Sequence, residues 1–206
     1  PKAKTIGTDL TQGNILRLLL IFVLPIFFTN LIQQFYNIVD VIVIGQFAGS
    51  EGTVGVSTGG EVINLLTFVS MGFASAAQVY ISQLYGVRDH EKIRETIGTT
   101  LSLMGLCSLV FMALSMLFCR PLLTLMNTPA EALAQSYDYM MVTALGMPFI
   151  FGYNAVCGIL RGMGESKRPL EFIAISATAN IFLDLFFVAV LGMKSAGTAW
   201  ATVLSQ

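Results

Sequence analysis

Long apolar stretches alternate with short polar ones along almost the whole chain. They predict helical spans over about residues 15–44, 55–84, 96–119, 132–160 and 170–190, and a sixth that begins near 197 and runs to 206. A helix needs roughly 20 apolar residues to cross a bilayer, so the first five spans suffice and the last does not. The sixth span is expected to be truncated. The breaks between spans are polar or rich in glycine: 45–52, GVRDHEKIRE at 86–95, RPLLTLMNTP at 120–129, RGMGESKRP at 161–169 and LGMKSAG at 191–197. Residues 1–13 are mixed and polar and read as a lead-in on the cytosolic side; residues 14–206 read as one helical bundle.

Within this apolar pattern, LPIFFTNLIQQFYNIVD at 24–40 stands out. Asn30, Gln33, Asn37 and Asp40 follow one another at spacings of three, four and three, which puts them on a single helical face. Pro25 removes one backbone donor and clashes with the carbonyl four residues earlier, so a bend is expected there. A polar stripe, a proline and a carboxylate are costly in a membrane helix, and a wet interior pathway accounts for them together. Asp40 alone also fits an interfacial position facing lipid headgroups.

Composition agrees with this class. Hydrophobic residues make up 55% of the 206, charged residues 11%, and the mean hydropathy is +0.75. Soluble domains carry about a quarter charged residues, so this surface faces lipid. The net charge is −1 and no basic patch points to nucleic acid. Three cysteines at irregular spacing (Cys107, Cys119, Cys157) and a lone His90 give no disulfide framework, zinc site or histidine-based catalysis. No cleavable signal pattern precedes the first span. Beginning at Pro1 and ending at Gln206 inside an apolar run, the sequence is expected to be part of a longer protein.

Positive charge orients the spans. With alternating spans, Lys2, Lys4, Arg17, Arg88, Lys92, Arg94, Arg161, Lys167 and Arg168 fall on one side, leaving only Arg120 and Lys194 on the other. The excess marks the cytoplasmic face, which places the N-terminus inside and puts Asp40 and Asp184 toward the outer half.

Asp184 is the second carboxylate in a span, and Asn180 precedes it by one turn on the same face, extended by Ser176. This pair can bind a ligand or seal two helices together. An ionised group at the centre of a membrane helix costs about 2.5–3.5 kcal/mol, and two acids side by side in low dielectric cost more. If Asp40 and Asp184 meet, they can hold a proton, or a sodium ion with help from amide and hydroxyl oxygens. Tyr139 and Asn154 can line the same cavity or serve packing. Glu61 is an acid without a sequence neighbour to pair with, and Asn64 shares its half of the span. Thr198 and Thr202 offer hydroxyls four residues apart, although threonine often bonds its own helix.

In order, the bent first helix with Pro25 and Asp40, GFASAAQVYISQLYGVRDHEKI, GILRGMGESKRP, the Asn180/Asp184 pair and GTAWATVLSQ resemble the N-terminal lobe of multidrug and toxic compound extrusion (MATE) transporters. The likeness covers about residues 10–206 and is closest to the DNA-damage-inducible branch. It implies an all-α six-helix lobe, half of a twelve-helix transporter, that exchanges Na⁺ or H⁺ for cationic or amphipathic drugs at the plasma or inner membrane. By the same resemblance, Asp40, Asn180, Asp184 and Thr202 would bind the cation (Na⁺ if sodium-coupled). Tyr36, Asn37, Gln33, Asn30, Tyr139 and Asn154 would line the substrate cavity, with Pro25 as hinge. No organic cofactor and no enzyme activity are implied; the partners are drug-like small molecules, the bilayer and a C-terminal lobe missing from this chain. Two other classes fit less well. A flippase for lipid-linked saccharides would want basic residues inside the spans, which are nearly free of Lys and Arg. An intramembrane aspartyl protease would want Gly-x-Gly-Asp, whereas Asp184 sits in FLDLF.

Overall fold

The computed structural model describes residues 14–206, and among them every regular element is helical. The lead-in at 1–13 lies outside the described residues. Helix α1 runs from Ile15 to Gly86, with Asn14 capping its start: the side-chain oxygen accepts from the amides of Leu16 and Arg17 at 3.0 and 3.3 Å. At 1.5 Å per residue such a helix would be several times the thickness of a bilayer, and it folds in two. Gly49 is the turning point, the one residue of α1 with non-helical dihedrals (φ 67°, ψ −160°). Gly45 lies against Thr53, and Val43 and Ile44 cluster with Val56, so the two halves run back along each other. The break expected over 45–52 is thus one glycine wide: helix continues to the edge of the φ that only glycine adopts without strain.

Asp89 caps helix α2 (His90–Leu117), accepting from the Lys92 amide at 3.1 Å and pairing with the Lys92 ammonium at 3.4 Å. A short helix α3 (Cys119–Leu125) follows within the stretch expected to be a plain break. The fourth span is broken: α4 (Leu133–Leu145) and α5 (Met147–Gly162) meet at 52° about Gly146. Pro148 sits in the first turn of α5, where its missing N–H costs nothing, so the proline starts a helix and does not kink one. Gly164, at φ 81°, ends that span: Gly164 and Glu165 donate back to the carbonyls of Arg161 and Leu160. Helix α6 (Lys167–Asp184) passes directly into a π-helical turn, Leu185–Val190, and α7 (Lys194–Ser205) completes the chain.

Glycines let α1 approach its neighbours. A Cβ on Gly55 would stand 2.8 Å from the Gln135 Cβ and one on Gly59 would stand 2.9 Å from the Tyr139 ring; on α5, Gly158 and Gly162 press the carbonyls of Ala74 and Gln78 as closely. One core cluster gathers Met104, Leu123, Met140, Met147 and Phe151; a second joins Val43, Ile44, Val56, Tyr139, Val188 and Ala199. Outward, large apolar side chains such as Phe27, Phe35, Phe47 and Phe182 stay exposed, the surface a lipid-embedded bundle presents. The three cysteines are free.

Candidate cation pocket and polar cavity

Two polar regions lie side by side. The larger is a cavity of about 590 Å³ between the two halves of α1 and helices α4, α5 and α7. Asn30, Gln33, Asn37 and Asp40 all line it, as the stripe predicts, together with Tyr36, Tyr139, Asn154 and Thr202. Several of its polar groups are open to the cavity or satisfied by their own helices. The Asn154 amide donates to the Ile150 carbonyl at 3.0 Å, and Thr202 donates to the Thr198 carbonyl at 3.0 Å. Pro25 is not among the lining residues; α1 remains helical through it, and Thr29 Oγ1 donates to its carbonyl at 2.9 Å.

Asp40 marks the boundary with the second region, which is closed. Asp40 is 7% exposed, Asn180 1%, and Asp184 and Thr198 not at all. The carboxyl groups of Asp40 and Asp184 lie within hydrogen-bonding reach of each other. Two carboxylates are both acceptors, so this contact is satisfied only when a proton or a cation sits between them. Six enclosed atoms, namely Asp40 Oδ1, both Asp184 oxygens, Asn180 Oδ1 and Nδ2 and, on α7, Thr198 Oγ1, have no hydrogen-bond partner in the protein. Each such atom costs about 1–3 kcal/mol when left unmade, against a total stability of about 5–15 kcal/mol for a typical domain. The pocket therefore calls for an occupant. The oxygens of the two acids, with the Asn180 amide one turn before Asp184, are hard donors, a set that fits a proton or an alkali cation. Among the described residues no group of three or more His, Cys, Asp or Glu is placed to hold a metal ion.

Local sequence explains the enclosure. Asn180 and Asp184 occupy the last turn and a half of α6, and the π-helical turn begins at the next residue, with Phe187 packed on Gly197 of α7. Such turns recur at functional sites because they insert one extra residue and re-aim what precedes it. The two threonines of α7 divide: Thr202 faces the cavity with its hydroxyl proton spent on its own helix, and Thr198 is fully enclosed with its hydroxyl unspent. Sequence spacing treats them alike, so Thr198 did not stand out. Tyr153, whose buried hydroxyl also lacks a partner, and Arg161 line the cavity too. Arg161 was expected in the break after span four; it lies in the last turn of α5, so the cavity is not free of basic residues.

An all-helical lobe whose helices are long and apolar enough to cross a membrane thus sets an enclosed acidic pair beside an open polar cavity. The model of the MatE family matches residues 25–205, and the chain belongs to that family. It is 34% identical to the probable multidrug resistance protein YpnP of Bacillus subtilis (strain 168), covering 96% of this chain and 44% of that relative. A multidrug export protein, MepA of Staphylococcus aureus (strain NCTC 8325 / PS 47), is 23% identical over 95% of the chain and 43% of its own length. Among solved structures, a multidrug resistance MATE family transporter of the MOP superfamily in an outward-facing conformation superposes with a TM-score of 0.91 at 24% identity, over 100% of this chain and 45% of the other. The chain thus spans a little under half the length of the relatives it matches.

Proposed function

We propose that this chain is the N-terminal lobe of a cation-coupled antiporter that exports amphipathic or cationic organic compounds. Support comes from the relatives' names as multidrug resistance and export proteins and, above all, from the buried Asp40–Asp184 contact with no donor of its own. In this reading Na⁺ or H⁺ enters the pocket formed by Asp40, Asn180 and Asp184, with the hydroxyls of Thr198 and Thr202 completing the shell. The 590 Å³ cavity takes the drug. The protein lies in the plasma membrane with its N-terminus in the cytoplasm, the side favoured by the nine-to-two division of Lys and Arg.

Coupling follows from differential affinity. Without a cation the two carboxyl groups oppose each other; with one they draw the first half of α1 toward α6. A ligand shifts a conformational equilibrium only by its preference for one state, and this contact supplies the preference. Pro25 leaves the Ile21 carbonyl without its helical donor, which makes α1 easiest to bend there. Asp40→Asn in the complete transporter tests the proposal in proteoliposomes carrying a Na⁺ or a pH gradient, each imposed alone. Drug export driven by one gradient should be lost. Gradient-driven export that survives the substitution unchanged would overturn the proposal.

Arg161 favours a second reading, a flippase whose cavity accepts an anionic lipid-linked saccharide. One guanidinium is little for a pyrophosphate, which is normally gripped by several donors. Saturable binding of a lipid-linked pyrophosphate precursor, abolished by Arg161→Gln, would establish that reading; its absence would remove it.

A further inference from the structure

Three formally charged side chains line the cavity: Asp40, Glu61 and Arg161. Asp40 is turned against Asp184 and is nearly enclosed. Glu61 differs in each respect. It is exposed to the cavity, and the one ion pair among the described residues joins Lys92 to Asp89. Arg161 cannot serve it. Gly162 presses the Gln78 carbonyl, so Arg161 is level with about that residue on the second half of α1. From Glu61 to Gln78 is 17 residues, or about 25 Å of helix, several times the reach of an arginine side chain. The Arg161 Nε is also held by the Cys157 carbonyl at 3.1 Å.

Glu61 heads a stripe of its own. Glu61, Asn64, Phe68 and Met71 repeat the three, four, three spacing of Asn30, Gln33, Asn37 and Asp40, and both stripes line the same cavity from the two halves of α1. The first stripe, Asn30 to Asp40, is polar throughout. The other begins with an acid and an amide and continues with an aromatic ring and a thioether. Tyr139 packs beside the acid's end, 3.9 Å from where a Gly60 Cβ would stand. A carboxylate this deep in a span is costly against lipid and is kept only where a cavity or a partner repays it. A ring face and a polarisable sulfur suit the flat body of an organic cation.

We propose that Glu61 anchors the positive group of an organic cation whose apolar body lies along Phe68 and Met71, while the Asp40–Asp184 pair is reserved for the inorganic cation. The inference rests on reading this cavity as the substrate cavity. It divides two tasks between two carboxylate sites, so substrate and coupling ion need not compete for one acid.

The test uses the complete transporter in lipid nanodiscs at fixed Na⁺ and pH, with two probes: tetraphenylphosphonium, a permanent cation, and N-phenyl-1-naphthylamine, an uncharged amphipath. Glu61→Gln should raise the Kd for tetraphenylphosphonium about tenfold, as expected for one partly desolvated charge contact, and move that of the neutral probe less than twofold. Glu61→Asp should recover most of the loss. Equal losses for both probes would assign Glu61 a structural role and overturn the inference, as would unchanged tetraphenylphosphonium binding. If the unmodified protein binds the neutral probe but not the cation, this inference falls and the drug cavity stands. Binding of neither probe overturns both.

Discussion

The closed pocket and the open cavity share Asp40 as a wall, yet they handle polarity in opposite ways. In the cavity, Asn30 meets open space and Asn154 and Thr202 bond their own helices, with the buried Tyr153 hydroxyl the exception. Among the enclosed groups, six atoms of Asp40, Asn180, Asp184 and Thr198 have neither outlet. The lesson is that polarity inside a membrane protein does not by itself mark a ligand site. Burial without a partner does, because water cannot settle the debt.

Substitutions can separate the two regions. Asp184→Asn should have the largest effect: with one acid of the pair neutral, affinity for the coupling cation should fall about a hundredfold or more, read by calorimetric titration of Na⁺ or by proton release. Thr198→Val comes next. It removes an enclosed hydroxyl while keeping the shape, so thermal stability without added Na⁺ should stay level or rise, whereas cation affinity should drop about tenfold. A stability loss with unchanged affinity would make Thr198 a packing residue only. Asn30→Ala should do least. Its side chain is exposed in the cavity, so stability should shift by no more than about 0.5 kcal/mol and cation affinity by less than twofold. A large loss of cation affinity in that variant would dissolve the boundary between the regions.

The sequence exposed much of this arrangement through periodicity. The stripe from Asn30 to Asp40 and the one-turn interval between Asn180 and Asp184 need only 3.6 residues per turn, and each shares a face as expected. Three features escaped because they depend on packing. Glycines at 45, 49 and 52 are equal candidates for the turn in α1, and only the dihedrals single out Gly49. Thr198 and Thr202 share a face, and only the depth of α7 in the bundle decides which one is enclosed. Arg161 reads as a loop residue in RGMGESKRP, because helix α5 ends two residues later than the charge pattern suggests. The break within the fourth span falls at Gly146, where Val203 of α7 fills the space a side chain would need.

Gly49 carries a mechanical consequence. Each half of α1 is a rod of roughly 50 Å, and the two are joined through one residue with two soft dihedrals. A change of 10° in the angle between them displaces the free ends by about 9 Å, given that arm length. The same change hardly alters spacing near Val43, Ile44 and Val56, beside the pivot. Any change in the angle between the two halves would therefore be felt least beside the glycine and most at the far tips.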